Sequence, residues 1–115
     1  MSTEFTEDGG NLGPPDGREF PRFMGPATFA RLPEPRDVES WDVSIVGVPF
    51  DAGTSYRSGA RFGPQAIRAG SRLLRSHHPA LGVAPFHDQQ VVDAGDLAVS
   101  PYNIDDAIVQ IEAGA

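Results

Sequence analysis

Apolar and polar positions divide this chain into segments of different period. In Trp41-Asp42-Val43-Ser44-Ile45-Val46-Gly47-Val48 the residues are nearly all apolar from Val43 onward. A short run of this kind predicts a strand buried on both faces, as in a parallel sheet. Further on, Ala66, Ile67, Gly70, Leu73 and Leu74 recur at helical spacing, with Arg68, Arg72 and Arg75 at i, i+4 and i+7 on another face. Pro64 stands at the first helical position, where its missing N–H is harmless, and Pro79 enforces a stop. The spacing predicts a helix from Gly63 to about Ser76. A second strand is expected at Gln90-Val91-Val92-Asp93, closed by Gly95. Asn103 then reads as an N-cap, with Asp105 and Asp106 in the first turn and Ile104, Ala107, Ile108 and Ile111 forming an apolar stripe. Strand, helix and strand in this order predict a right-handed parallel crossover, the unit of an open α/β sheet.

Residues 1–40 have no such period. Gly9-Gly10, Gly13-Pro14-Pro15, Asp16-Gly17, Gly25-Pro26 and Pro33-Glu34-Pro35 interrupt any sustained helix. Residues 1–20 are expected to form a disordered acidic tail, since they carry too little apolar surface to offset ordering entropy. Residues 21–40 read as an extended segment. Phe20, Phe23, Phe29 and Leu32 are too apolar for a free tail and predict that this part lies against its own domain or a neighbouring subunit. Residues 41–115 form the α/β part.

Composition narrows the class. The 115 residues suit one small domain, and 13 glycines with 11 prolines make it rich in punctuation without low complexity. No apolar run approaches the roughly 20 residues of a membrane span, and the acidic N-terminus lacks the basic start of a signal peptide. With no cysteine, disulfides and thiolate chemistry are excluded together. The expectation is a soluble, cytoplasmic protein with no membrane partner.

The net charge of −7 conceals a segregation. Between Ala52 and His87 lie Arg57, Arg61, Arg68, Arg72 and Arg75 with no carboxylate, whereas Asp88 to Ala115 holds carboxylates and no cation. This pattern reads as a basic helix face, solvated or paired with acidic segments. A nucleic-acid site is set aside, because such sites raise the pI of a domain and here it is about 4.7.

The segment richest in information runs Gly47-Val48-Pro49-Phe50-Asp51-Ala52-Gly53-Thr54-Ser55-Tyr56-Arg57-Ser58-Gly59-Ala60-Arg61-Phe62-Gly63-Pro64. Four glycines and two prolines mark a specified strand-to-helix loop. It resembles the signature that opens the catalytic domain of agmatinase-type ureohydrolases of the arginase family. Three further blocks carry the same resemblance: Thr28-Phe29-Ala30-Arg31-Leu32-Pro33, Ile67-Arg68-Ala69-Gly70-Ser71-Arg72-Leu73-Leu74-Arg75, and Val91-Val92-Asp93-Ala94-Gly95-Asp96. From about Arg22 onward the chain is similar to the N-terminal third of an agmatinase or a guanidinobutyrase.

The resemblance implies a three-layer αβα fold around a parallel sheet, of which this chain holds the first two strands and helices. It implies a centre of two manganese ions, hydrolysis of a guanidino group to urea and an amine, and a homo-oligomer, trimer or hexamer. Agmatine would give putrescine. A guanidinium is a poor electrophile, and two divalent ions answer this by lowering the pKa of a bound water. The family's metal ligands lie in Gly-Gly-Asp-His, Asp-Ala-His-x-Asp and Asp-x-Asp blocks, none of which occurs in these 115 residues. The expectation is therefore an N-terminal fragment, inactive alone, with no catalytic and no metal-binding residue of its own.

Local substitutes are weak. His77 and His78 with His87 and Asp88 read as a surface loop, and Asp93 and Asp96 read as carboxylates that bond turn amides at a strand end. Loops at the C-terminal ends of parallel strands line the ligand crevice of open α/β sheets. This places Asp51, Thr54, Tyr56 and Arg61 as rim residues of a substrate entrance; in the alternative, structural reading Asp51 and Arg61 brace the turn. A second class of function also stays open: a non-enzymatic module that associates with ureohydrolase subunits through residues 20–32 and the arginine face.

Overall fold

The computed structural model describes residues 4–115. Two strands of the α/β part pair in parallel, β3 (Val43–Gly47) with β4 (Val91–Asp96), and the hairpin strands β1 (Thr6–Asp8) and β2 (Asn11–Gly13) pair antiparallel. Three helices complete the set: α1 (Gly63–Gly70), the single turn α2 (Pro85–Asp88) and α3 (Ile104–Gly114). The parallel sheet with helices between and after its strands agrees with the α/β expectation. Among the described residues no helix is long and apolar enough to cross a membrane.

The register of the parallel pair explains the shape of its C-terminal end. Ile45 faces Asp93 and Gly47 faces Asp96, so two steps on β3 are matched by three on β4. The extra residue makes a bulge, and Gly95, at φ 82°, takes the left-handed conformation that a bulge of this kind requires. The Asp93 carboxylate secures it, accepting from the Gly95 N–H at 2.8 Å. Leu97 N–H then donates to Gly47 O at 2.9 Å, which keeps the two strand ends together.

The core is small and lies beneath residues 28–33. Ala30, Leu32 and Val91 are buried, with Phe29, Ile45 and Phe86 packed against them. This agrees with the apolarity of Phe29 and Leu32, whereas Phe23 is 80% exposed. The crossing segment is held in a costly backbone shape: Ala30 and Arg31 have φ of 51° and 57°, the left-handed region that side chains disfavour. Several bonds hold it there. Phe29 N–H donates to Asp93 Oδ2 at 2.7 Å, Ala30 N–H to Ser71 Oγ at 2.7 Å, and Asp93 N–H to Pro33 O at 3.0 Å. The buried Arg31 guanidinium donates to the carbonyls of Pro15, Phe20, Pro21 and Met24.

Three expectations differ from the structure. In place of a disordered tail over residues 1–20, residues 6–13 form the hairpin; Met1–Thr3 lie outside the described residues. The hairpin is fixed by distant side chains that composition does not reveal. The Gln90 amide accepts from Leu12 N–H at 2.8 Å and donates to Leu12 O at 3.0 Å, and His87 Nδ1 lies 2.8 Å from Asp8. The helix expected to reach Ser76 ends at Gly70, passing into a 3-10 turn at Ser71–Leu73. There Ser71 Oγ donates back to Arg68 O at 2.7 Å and competes with the helical ladder. Finally, β3 is not buried on both faces. Val43, Val46 and Val48 are 38%, 42% and 42% exposed, because among the described residues β4 is the only strand beside it.

Candidate functional site

The loop between β3 and α1 is closed on itself by one carboxylate. Asp51, buried at the start of the loop, accepts at Oδ2 from the N–H groups of Gly59 at 2.7 Å and Arg61 at 3.3 Å. Arg61 Nε donates to the same carboxylate at 2.9 Å and Nη2 lies 2.8 Å from Oδ1. The Arg61 guanidinium, helped by the Gly59 amide, holds the Asp51 carboxyl down to about 2. Thr54 adds a turn, donating to Asp51 O through its N–H at 3.1 Å and through Oγ1 at 2.8 Å. Gly59 sits at φ 148°, a backbone shape that side chains rarely adopt.

Asp51, Thr54 and Arg61 are therefore brought together, as a brace. Tyr56 is not part of it: its ring is 84% exposed at the far end of the loop. The Arg57 guanidinium carbon lies 4.9 Å from the centroid of that ring. The segment after β4 stands alongside, since a Cβ on Gly53 would meet Ile104 Cδ1 at 3.7 Å.

A second ionic cluster anchors the base of the loop. Arg68 of α1 donates to Asp93 through Nε at 2.8 Å and through Nη2 at 3.1 Å, and to Asp96 through Nη1 at 2.6 Å. Its side chain is 14% exposed, and that of Asp93 is 1% exposed. Burial pushes the Asp93 carboxyl up, yet the Arg68 hydrogen bonds and the amides of Phe29 and Gly95 outweigh it, and the group stays below the usual carboxylate range. Asp93 thus bonds a turn amide as the sequence predicts, but Asp96 does not; it pairs with Arg68. The basic helix face is also less solvated than its pattern implies, because Arg72 Nη1 donates to Pro26 O at 3.0 Å.

Sequence reasoning missed Arg68 as the centre of this cluster. The only signal was its place in a segment with no acid, followed by one with no base: charges segregated along the chain meet in space.

A cleft of about 680 Å³ opens here, lined by Thr28, Leu32, Arg68, Asp93 and Asp96 among others. Its strand-end carboxylates are already engaged by Arg68. The histidines do not converge either. His78 Nδ1 accepts from Leu81 N–H at 3.1 Å while His87 faces Asp8. Among the described residues, no three His, Cys, Asp or Glu side chains come together to hold a metal ion.

Comparison with known proteins gives this geometry a context. The profile of the arginase family matches residues 41–115. Guanidinobutyrase of Pseudomonas aeruginosa is 47% identical over 102 residues, covering 86% of this chain and 32% of that protein. The mitochondrial agmatinase of Gallus gallus is 44% identical over 98 residues, 85% of this chain and 29% of its own length. Among solved structures, proclavaminate amidino hydrolase from Streptomyces clavuligerus superposes with a TM-score of 0.75 at 41% identity, over 82% of this chain and 32% of that one. A hypothetical agmatinase from Burkholderia thailandensis gives 0.72 at 35% identity, over 81% and 30%. The chain spans about a third of the length of the relatives it matches.

Proposed function

This chain belongs to the arginase family, and from that membership we propose that it forms the N-terminal part of a hydrolase of guanidino compounds. The reaction is hydrolysis of agmatine or a guanidino acid to an amine and urea, with putrescine as the amine from agmatine. The observation that carries this reading is the 47% identity to a guanidinobutyrase over 102 residues, a stretch long enough to take in most of the chain.

In this reading the loop after β3 lines the substrate entrance, with Asp51, Thr54, Tyr56 and Arg61 at its rim. Asp51, Thr54 and Arg61 fix the path of the loop, and Tyr56 faces outward. The position at the C-terminal ends of two parallel strands supports it. The two manganese ions that the resemblance implies would, when bound, supply a deprotonated water at neutral pH. The donors of this segment do not fit such a centre: Asp93 and Asp96 share a guanidinium instead of a divalent ion. In this proposal the metal ligands belong to sequence outside these residues.

Exposed apolar side chains support assembly into a larger body. Val46, Ile67, Ile108 and Val109 are all more than two-fifths exposed, more than a segment acting alone needs to show solvent. The alternative is a module that docks on ureohydrolase subunits through residues 20–32 and the arginine face. We favour the enzyme, a cytoplasmic homo-oligomer of trimer or hexamer type, because the likeness includes the loop whose path the Asp51 brace specifies.

The deciding experiment measures the intact mass of the native polypeptide captured by an antibody to this segment, followed by manganese-dependent urea release. A species much larger than 12.3 kDa that releases urea from agmatine or 4-guanidinobutyrate supports the enzyme. A species at 12.3 kDa with no urea release sinks it and leaves the docking module.

A further inference from the structure

Residues 15–26 are ordered without an apolar core of their own. Pro15 is the only buried residue of the segment, and Phe23 and Met24 are 80% and 44% exposed. What the segment turns inward is its main chain. Arg31 Nη1 donates to Phe20 O at 2.7 Å, Pro21 O at 3.2 Å and Met24 O at 3.3 Å, and Nη2 donates to Pro15 O at 3.2 Å. Arg72 takes two more carbonyls, Pro26 O at 3.0 Å and Phe23 O at 3.2 Å.

Local turns aim these oxygens at one point. Phe20 N–H donates to Asp16 O and Met24 N–H to Pro21 O, both at 2.8 Å, and each bond bends the chain sharply. Gly25, at φ 88°, continues the bend. A Cβ there would stand 3.7 Å from Arg31 Cδ, so the chain closes over the arginine side chain.

Arg31 itself is 3% exposed. Among the described residues no carboxylate balances it, and burial together with the Arg22 and Arg72 charges presses its guanidinium below its usual range. A guanidinium keeps its proton in a protein. A buried charge persists only where hydrogen bonds satisfy it, and here the carbonyls of one short segment do so. The dependence runs both ways. Without the cation those carbonyls lose their partner, and the segment buries too little apolar surface to hold its path.

We infer that residues 15–26 form a binding site for an alkylguanidinium cation, built from main-chain carbonyls and filled by Arg31 of the same chain, and that the order of the segment depends on this occupant. The inference does not rest on the hydrolase reading. Because Arg31 is tethered beside the site, a free guanidino compound does not displace it.

Hydrogen exchange of the native protein and its variants, read by mass spectrometry, tests this directly. Arg31→Gly removes the side chain at a position whose φ of 57° suits glycine, so no backbone strain is added. Peptides within 15–26 are expected to lose at least about tenfold in protection, what one hydrogen bond to a charged group contributes, while α3 keeps its own. n-Propylguanidinium is the missing side chain as a free cation. At about 10 mM, far below denaturing concentrations, it is expected to restore the protection, and the neutral isostere n-propylurea is not. The native protein, with its site filled, should respond to neither.

If Arg31→Gly does not fold, Arg31→Gln is compared instead; it keeps a stem and an amide but no charge, and the same confined loss is expected. Unchanged protection of residues 15–26 in the variant, a loss shared equally by α3, or no more restoration by n-propylguanidinium than by n-propylurea would overturn the inference.

Discussion

Arg68 reaches from α1 to the end of β4 and holds Asp93 through Nε at 2.8 Å and Nη2 at 3.1 Å. The same carboxylate accepts from the amides of Phe29 and Gly95, so one side chain joins the N-terminal segment, the helix and the strand end. Breaking a buried ion pair from one side leaves the other charge uncompensated. Asp93→Ala is expected to lower stability by about 3 kcal/mol, the low end for such a change because Arg68 retains Asp96. Chemical denaturation measures it. A shift below about 0.5 kcal/mol, typical of surface substitutions, would show that the cluster does not hold the fold.

Gly47 and Gly70 make a paired test of close approach. A Cβ at Gly47 would collide with Asp96 Oδ1 and stand 2.9 Å from Pro64 Cβ, whereas one at Gly70 meets nothing within 4 Å. Gly47→Ala is expected to destabilise by about 1–3 kcal/mol, as overpacking does. Gly70→Ala, at ordinary helical angles, is expected to stabilise by about 0.4–1 kcal/mol. The two changes in unfolding midpoint should have opposite signs; equal signs would contradict the packing described.

The Asp51 brace has a defined response to acid. The carboxyl is depressed from 3.8 to about 2, so its contribution is fully present above 3.8 and is lost as pH falls through about 2. Between pH 4 and 5 the loop should remain closed. The amide proton of Gly59, bonded to this carboxylate, should titrate in NMR with a midpoint near the depressed value. A midpoint near 3.8 would mean that the Arg61 contact does not persist in solution.

Asn103 caps α3, its Oδ1 accepting from the N–H groups of Asp105 at 3.0 Å and Asp106 at 3.1 Å. Asn103→Ala is expected to cost about 1 kcal/mol, and Asn103→Asp should be near neutral. Hydrogen exchange of the first turn of α3 reports the effect locally. Unchanged protection in the alanine variant would show that the helix start is held by other contacts.

What could be read in the sequence followed from short-range rules. The apolar runs of β3 and β4, the proline at the start of α1 and the Asn103 cap all arise from neighbours a few residues apart, where period and backbone geometry suffice. The Asp51–Arg61 brace was legible for the same reason, since ten residues and a glycine-rich loop bring them together. The four blocks that resemble the arginase family were also visible before any fold was known. Tertiary structure alone decided that Arg68 turns inward to Asp93 and Asp96, that Gln90 clasps Leu12, and that Ser71 accepts from the Ala30 N–H. Each depends on partners 25, 78 and 41 residues apart in the case of Arg68 with Asp93, Gln90 with Leu12, and Ser71 with Ala30. Periodicity says which face a residue occupies but not what the fold sets opposite it. The energy of a buried charge or amide is fixed by that opposite partner.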